Sequence, residues 1–452
     1  MLSELSKPAN GTVDQGFTMQ CLLDQPEPLR GVRVVELGTL VLGPAAASFL
    51  AEFGAEVVKV ELPPAGDTMR YITPGEFWQE GSLGFLPVNH NKLHVGLDVH
   101  RVEGQTVFKQ LVARADVVIE NLKAGAMERK FGLGYRQLRE VNPSLIYLAN
   151  TGFGQWGPFS SGRASYDALA QAASGFAAIS HFPGRPPLKT NTFIGDWTGA
   201  CLSATAVLMA LFYRQRTGRG QFIDYAQSEG LIRLLDWTWA FVGINGRDRA
   251  PAGNQDVAMS PAAIFLSRDG SVAVAAPLDP EFRALCRAMG QPELADDVRF
   301  CNQEARLVEE NLASLHEIVG GWVASRMTDE VVQAGQDCGF AAARVMCSRD
   351  HYLDEHLQAR GAVWRFEDPV YGDAVEYGPV PKMSASPGRL RWTARPVGFD
   401  NDYVFGTLLG LDARRISQLE ADGAIRTWGD RPGARPPSGW RGEGMLLKRS
   451  GR

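Results

Sequence analysis

Cysteine is sparse in this sequence. Cys21, Cys201, Cys286, Cys301, Cys338 and Cys347 are the six in 452 residues, and no two stand as CxxC or as a tight zinc-like pair. That spacing excludes a zinc-ribbon signature and fits free thiols in a reducing compartment. Histidine is thin as well. His90, His94 and His100 lack the order of zinc ligands, and His181, His316, His351 and His356 are scattered, so no metal site is expected. Neither GxxxxGK[ST] nor GxSxG occurs, which removes the P-loop and the nucleophile elbow. No large excess of one charge exists: 46 Lys plus Arg face 51 Asp plus Glu, a formal net charge of -5. A general nucleic-acid footprint is thereby excluded, and only a local basic pocket stays open. No positively charged region followed by an apolar stretch opens the chain, so no signal peptide and a cytoplasmic location are expected. The apolar stretch "GACLSATAVLMALFY" is shorter than the roughly 20 residues a bilayer helix needs. A buried helix is expected there, not a membrane span.

What is present reads as an α/β protein. Hydrophobic residues make up 45% of the chain, enough for a sizeable core and two domains. After a polar lead-in to Glu27, "VRVVEL" predicts a strand, a helix starts near Pro44, and "EVVKVE" predicts the next strand. The alternation continues through "NKLHVGLDV", "GQTVFKQLVAR", "ADVVIEN", "YRQLREVNP" and "SLIYLAN". Apolar strands alternating with helices imply a mostly parallel sheet covered on both faces. "TFIG" is strand-like, and the helix after Asp196 carries no charge until Arg214, so it is expected to be central and covered on most sides. From Met259 the grammar shifts. "AAIFLSRDGSVAVAAP" predicts two strands about an Asp-Gly turn, three helices follow, and "RGAVWRFEDPVYGDAVEYG" predicts a second strand pair. The expected division is a large domain over 29–240, a Gly- and Arg-rich linker or lid over 241–258, a small α+β domain over 259–375, and a C-terminal stretch over 376–452.

Two features invite chemistry. "GFGQWG" at 152–157 matches GxGxxG after a strand, but Pro158 follows where a helix should start and no suitable acid stands about 20 residues on. A glycine turn near a site is the better reading. Asp196 lies between an expected strand end and a helix start, at the carboxyl edge where parallel sheets bind ligands. Pattern alone leaves capping and catalysis level. The helix terminus would favour an ionised carboxylate able to attack an activated acyl group, and Gly195 and Gly199 would leave room for a substrate.

Several long blocks then carry a resemblance: "GVRVVELGTLVLGPAAASFLAEFGAEVVKVELPPAGDTMR", "ADVVIENLKAGAMERKFGLGYRQLREVNPSLIYLANTGFGQWGP" and "GDWTGACLSATAVLMALFYRQRTGRGQFIDYAQSE". Over roughly residues 29–425 the chain resembles the class III CoA-transferases, the family of the formyl-CoA and carnitine CoA-transferases and the alpha-methylacyl-CoA racemases. The resemblance implies a Rossmann-like large domain built from both ends of the chain, a small domain from the middle, and two subunits interlocked like chain links. No cofactor is tightly bound; CoA arrives as part of the substrate.

By the same resemblance Asp196 is the nucleophile that is acylated by a donor acyl-CoA and then carries CoA as a thioester. Backbone N–H groups near Gly195 or from a facing loop would steady the oxyanion. Asp167 is a supporting group. Where racemases have His, this chain has Tyr166, a poor base near neutral pH, which favours CoA transfer over racemisation. Leu42, Arg70, Lys92, Arg129 and Arg163 match positions along CoA, the cations for its phosphates. Trp197 is a pocket candidate, and Arg247 and Arg249 suit the second carboxylate of a dicarboxylic acid. The expected reaction moves CoA from succinyl-CoA to a bulky or aromatic dicarboxylate such as benzylsuccinate. The alternative is a racemase or isomerase, including CoA transfer between two carboxylates of one substrate. A homodimer is expected, with a heteromer of related chains as the other assembly, and no nucleic-acid partner.

Overall fold

Six short apolar strands build the parallel sheet that the alternation predicts. A computed structural model describes residues 25–72, 77–78, 81–160, 163–368 and 370–430. The lead-in to residue 24, Cys21 with it, and the stretch from 431 lie outside these. β1 (Arg33–Leu37), β2 (Glu56–Glu61), β3 (Lys92–Gly96), β4 (Val117–Glu120), β5 (Ile146–Thr151) and β6 (Phe222–Ala226) pair in the order β3-β2-β1-β4-β5-β6, all parallel. This is the doubly wound Rossmann order, and its direction reverses between β1 and β4. At that switch point Asn121 locks the two strand ends together. Its Oδ1 accepts from Thr39 N at 2.8 Å and its Nδ2 donates to Thr39 O at 2.7 Å.

Five helices accompany the sheet: α1 (Leu42–Glu52), α2 (Val102–Val112), α3 (Asp167–Ala173), α4 (Ile194–Thr217) and α5 (Gln227–Ile232). One sheet face is covered by α1 and α4, which meet through small residues such as Ala47, Ala51, Ala204 and Ala210. The other is covered by α2 together with Val404, Phe405 and Leu419 from the C-terminal stretch. Each buried Val or Leu in these layers contributes about 1.5–3 kcal/mol.

Helix α4 departs from expectation in two ways. It is 24 residues long, ending at Gly218 in the left-handed region, with Arg214 paired to Asp116 at 2.6 Å. By length and composition it could cross a bilayer, yet one face is buried under α1 and the sheet. The other face is bare: Met209 is 66% and Phe212 61% exposed, beside Leu202, Leu208 and Tyr213. Within its own chain the helix is therefore covered on one side. "TFIG" is not a strand either; residues 191–193 are irregular and the first turn of α4 takes over. The place beside β5 is filled by β6.

The described residues divide into two compact units. The first holds 25–176, 190–236 and 355–430, and the second holds Ala177–Lys189 and Trp237–Asp354. The second unit contains α6 (Thr238–Asn245) and an antiparallel sheet of β7 (Ala262–Leu266), β8 (Ser271–Ala275) and β9 (Ala341–Arg344), in the order β9-β8-β7. Helices α7 (Asp279–Met289), α8 (Glu309–Ala324) and α9 (Thr328–Cys338) close its core around Phe265, Phe282 and Trp322. Strand β9 was invisible to patterning because most of its side chains are exposed and no alternation marks it.

The last hairpin, β10 (Val363–Asp368) with β11 (Gly372–Tyr377), forms where the sequence predicts it but belongs to the first unit, not to a small domain reaching 375. The reason is electrostatic. Buried Asp368 accepts from Thr393 N at 2.8 Å and pairs with Arg395 at 2.9 Å, tying the hairpin to the C-terminal stretch. The linker expected over 241–258 is also shorter, since α6 runs to Asn245.

Candidate active site

Asp196 sits in the first turn of α4, three residues past the cap position Phe193, so it is not the capping residue. Its Oδ1 accepts a hydrogen bond of 2.6 Å from Gln227 Nε2. Gln227 is the first residue beyond β6 and opens α5, and that contact fixes Asp196 at the carboxyl edge of the sheet. Among the described residues, no hydrogen bond reaches Asp196 Oδ2. One oxygen is thus held and the other is left for reaction.

The capping work is done by Asp167. It is buried at the start of α3, and its Oδ1 accepts the backbone N–H of Gly195 at 2.7 Å. Its Oδ2 accepts from Gln171 Nε2 at 2.6 Å. Gln171 in turn clamps Thr190, accepting from its N at 2.9 Å and donating to its Oγ1 at 3.1 Å. The segment entering α4 is therefore anchored to α3 by a side chain from each of two turns.

These contacts set the acidity of Asp196. Burial pushes its carboxyl up, the Asp167 charge pushes it further, and the Gln227 bond pulls back, leaving it at about 7. The helix terminus alone favours the ionised form by about 0.3–1 kcal/mol, less than one pKa unit. Desolvation and like charge win that contest, contrary to the simple expectation for a helix N-terminus. A carboxylate raised in this way is a better nucleophile than one held by a cation.

The two glycines do not hold space open. A Cβ on Gly195 would lie 3.0 Å from Asp167 Oδ1 and 3.4 Å from Gln227 Nε2. On Gly199 it would strike Leu42 Cδ1 at 2.5 Å and the Tyr225 hydroxyl at 2.8 Å. Protein already fills both places; the glycines admit the positioning groups. Among the described residues Tyr225 Oη is buried without a hydrogen-bond partner, and burial with the nearby Asp196 charge raises its pKa strongly. Nor is the Gly195 N–H free to hold an oxyanion, because Asp167 occupies it.

The expected CoA contacts separate into two groups. Arg70 and Lys92 are interior. Arg70 is bidentate to Glu61 at 2.7 and 2.8 Å, donates to Arg395 O at 2.7 Å and lies over the Phe85 ring. Lys92 Nζ bonds Glu36 Oε2, Pro44 O, Val88 O and Asn89 Oδ1 within 3.0 Å. Both are fully engaged in a buried ion lattice with Lys59 and Asp67, so the assignment of either to phosphate contact is corrected. Leu42 is buried at the head of α1, against the Gly199 position.

Arg129 and Arg163 are exposed. Arg129 is on the short helix Ala126–Phe131 that follows β4, its Nη2 donating to Ala124 O; Arg163 stacks 3.8 Å from the Phe159 ring centroid. Tyr166 is 60% exposed just before α3. Trp197 is half-buried and packs edge-on against Phe49 at 6.0 Å, beside the apolar cluster that holds Ala46 and Phe85. Arg247 and Arg249 belong to the second unit, where Arg249 lies 4.5 Å over Trp237 and donates to Thr238 Oγ1 at 3.1 Å. Trp237 and Trp239 are exposed there.

The glycine motif is a turn. No helix opens at Gly157, Gly154 has positive φ, and Asp224 accepts from Gln155 N at 2.9 Å. A Cβ on Gly152 would overlap Ser165, two residues before Asp167, so the glycine lets this loop close on the start of α3. Gln227, Gln171 and Tyr225 escaped sequence reasoning. Only Gln227 carried a usable signal, as the first polar residue past a parallel strand. Among the described residues no His, Cys, Asp and Glu group could hold a metal ion.

Comparison with known proteins identifies the family. The model of CoA-transferase family III matches residues 29–401. A succinyl-CoA--D-citramalate CoA-transferase of Chloroflexus aurantiacus is 36% identical over 402 residues, covering 88% of this chain and 98% of that protein. The alpha subunit of a succinyl-CoA--L-malate CoA-transferase of Chloroflexus aurantiacus is 35% identical over 396 residues, covering 87% of this chain and 92% of that one. The crystal structure of a CAIB/BAIF family protein from Brucella suis superposes with a TM-score of 0.76 at 30% identity, over 85% of this chain and all of that one.

Proposed function

The chain belongs to CoA-transferase family III and moves CoA between an acyl-CoA and a carboxylic acid, and on that premise we propose succinyl-CoA as donor, a compact dicarboxylic acid as acceptor and Asp196 as the covalent group. The observation that carries this is the Asp196 carboxylate, held through one oxygen by Gln227 and raised in pKa beside Asp167.

In the proposed course Asp196 Oδ2 attacks the thioester carbonyl of succinyl-CoA. CoA thiolate leaves and a mixed anhydride forms. The thiolate then attacks the Asp196 carbonyl, expelling succinate and leaving an aspartyl-CoA thioester. The acceptor carboxylate attacks that thioester, and the thiolate returns to the acceptor's acyl carbon. A weak nucleophile suffices because it is held next to the thioester at high effective concentration.

The dicarboxylate reading follows the citramalate and malate in the relatives' names. The aromatic bulk of a benzylsuccinate-like acceptor rested on Trp197, which here packs on Phe49, so a compact acceptor is preferred. A racemase would want a base at Tyr166. Arg129 and Arg163 remain the proposed phosphate contacts. The bare apolar face of α4 favours a second subunit, a copy of this chain or a related one, as the alpha-subunit relative suggests.

The deciding experiment incubates the enzyme and succinyl-CoA with malate, citramalate, benzylsuccinate and monocarboxylic acids in turn, in deuterated water, with products read by chromatography and mass. New dicarboxyl-CoA without deuterium supports the proposal. Deuterium at the alpha carbon without an acceptor would make it a racemase, and transfer to monocarboxylic acids alone would overturn the acceptor class.

A further inference from the structure

Once Asp196 has been acylated through Oδ2, its Oδ1 is no longer half of a carboxylate. It is the carbonyl oxygen of an anhydride, and then of a thioester. Every attack on the Asp196 carbonyl carbon puts negative charge on Oδ1. That oxygen already receives a 2.6 Å hydrogen bond from Gln227 Nε2.

We infer that Gln227 is the oxyanion donor for the reactions at the Asp196 carbonyl, a role that rests on Asp196 being the covalent group. The CoA thiolate adds its electron pair to the Asp196 carbonyl carbon. The C=O electrons move to Oδ1, and Gln227 Nε2–H bonds that oxyanion. On collapse the carbonyl re-forms and the C–O bond to succinate breaks, succinate leaving with the electron pair. No proton needs to be transferred. The same donor serves the acceptor carboxylate's attack, with thiolate as leaving group.

The surroundings favour this amide over other donors. The Gly195 N–H is committed to Asp167, and the Trp197 N–H is committed to Phe193 O at 2.9 Å. Gln227 is 3% exposed and leaves the rigid end of β6, so its side chain starts from a fixed point. Its Oε1 accepts a long bond of 3.5 Å from Ser165 Oγ, which orients the amide with nitrogen toward Asp196. Chemistry also selects a neutral donor. An Arg or Lys here would hold the resting carboxylate ionised but quench it as a nucleophile. An amide bonds carboxylate, carbonyl and oxyanion in turn, most strongly where charge is most concentrated.

The test separates the two carbonyl centres. Gln227→Leu, and Gln227→Met as a length-matched second variant, are mixed with excess succinyl-CoA without acceptor and acid-quenched. Chromatography follows succinyl-CoA consumption, which reports attack on the acyl carbon. Intact mass follows protein-bound CoA, which reports attack on the aspartyl carbon. We expect protein-bound CoA to appear about 10²–10³-fold more slowly in the variants, while consumption changes by less than about tenfold. Thermal melting identifies the variant that keeps its fold. Equal slowing of both readouts would mean that Gln227 merely positions Asp196, and unchanged loading would mean it does neither; either result overturns the inference. Wild type that never carries CoA, or Asp196→Ala that does, would remove the covalent role of Asp196 and this inference with it.

Discussion

The Oδ1 atom of Asp167 lies 2.7 Å from the backbone nitrogen of Gly195, so the residue before Asp196 is pinned by the carboxylate that also raises the pKa of Asp196. Holding and tuning come from one side chain, and substitution can separate them. Asp167→Asn keeps an acceptor for Gly195 but removes the charge. The acid limb of the kcat/KM profile should then shift to lower pH. Asp167→Ala should lose the anchor as well, with a stability cost of about 1 kcal/mol. A limb that stays in place in Asp167→Asn would reduce Asp167 to a structural anchor.

Asp196 itself should titrate visibly. Its folded pKa of about 7 stands above the ordinary 3.8, so the folded state retains a proton that the unfolded chain has lost between those values. The stability contribution is complete below about 3.8 and is lost as pH rises through about 7. Asp196→Asn should therefore be inactive yet more stable than wild type by about 1–2 kcal/mol at pH 8. Near pH 4 the gain should vanish. Wild-type acylation should rise through pH 7 and level off. Calorimetry across pH and initial rates check the two halves.

Arg70 and Lys92 should behave as interior residues. Arg70→Ala leaves Glu61 without its strongest partner in a site sealed from water, a loss of about 3–5 kcal/mol. The melting temperature should fall while KM for the CoA donor stays near wild type in whatever fraction is folded. Arg129→Ala should do the reverse. A large KM effect with full stability for Arg70→Ala would return it to the phosphate site.

Gly230 tests the seat of Tyr225. A Cβ there would come within 1.9 Å of the Tyr225 hydroxyl. Alanine ordinarily helps a helix by about 1 kcal/mol over glycine, but this overlap should reverse the sign and cost about 1–3 kcal/mol. Gly230→Ala should also slow turnover, because Tyr225 would be driven from its place by Gly199. Adding Tyr225→Phe should restore part of the stability, since Cζ would still lie 2.8 Å from the new Cβ, and melting curves of the double variant would register it.

The sheet was legible because its strands are short, apolar and separated by helix-length polar patterns. Val34–Val35, Val57–Val58 and Val117–Val118 announce themselves in any register. The site was legible in part: Asp196 by its place in a familiar block, Asp167 by its neighbour Tyr166. What stayed hidden was partnership. Nothing local says that Arg70 meets Glu61 inside the fold and not a phosphate outside it, since both uses ask for the same guanidinium. Gln227 looked like one more polar residue in "DYAQSE" because its importance comes from lying 31 positions from Asp196 and yet touching it. The bare side of α4 was missed for a related reason: an apolar run records a wish for cover, not who provides it.

Asp196 and that bare side ride on the same 24-residue rod, from Ile194 to Thr217. A rod does not bend easily, so the second subunit proposed to cover Met209 and Phe212 would also steady the reactive end a few turns away. Quaternary contacts and turnover would then be mechanically joined, and specific activity should fall on dilution in step with the loss of assembled particles.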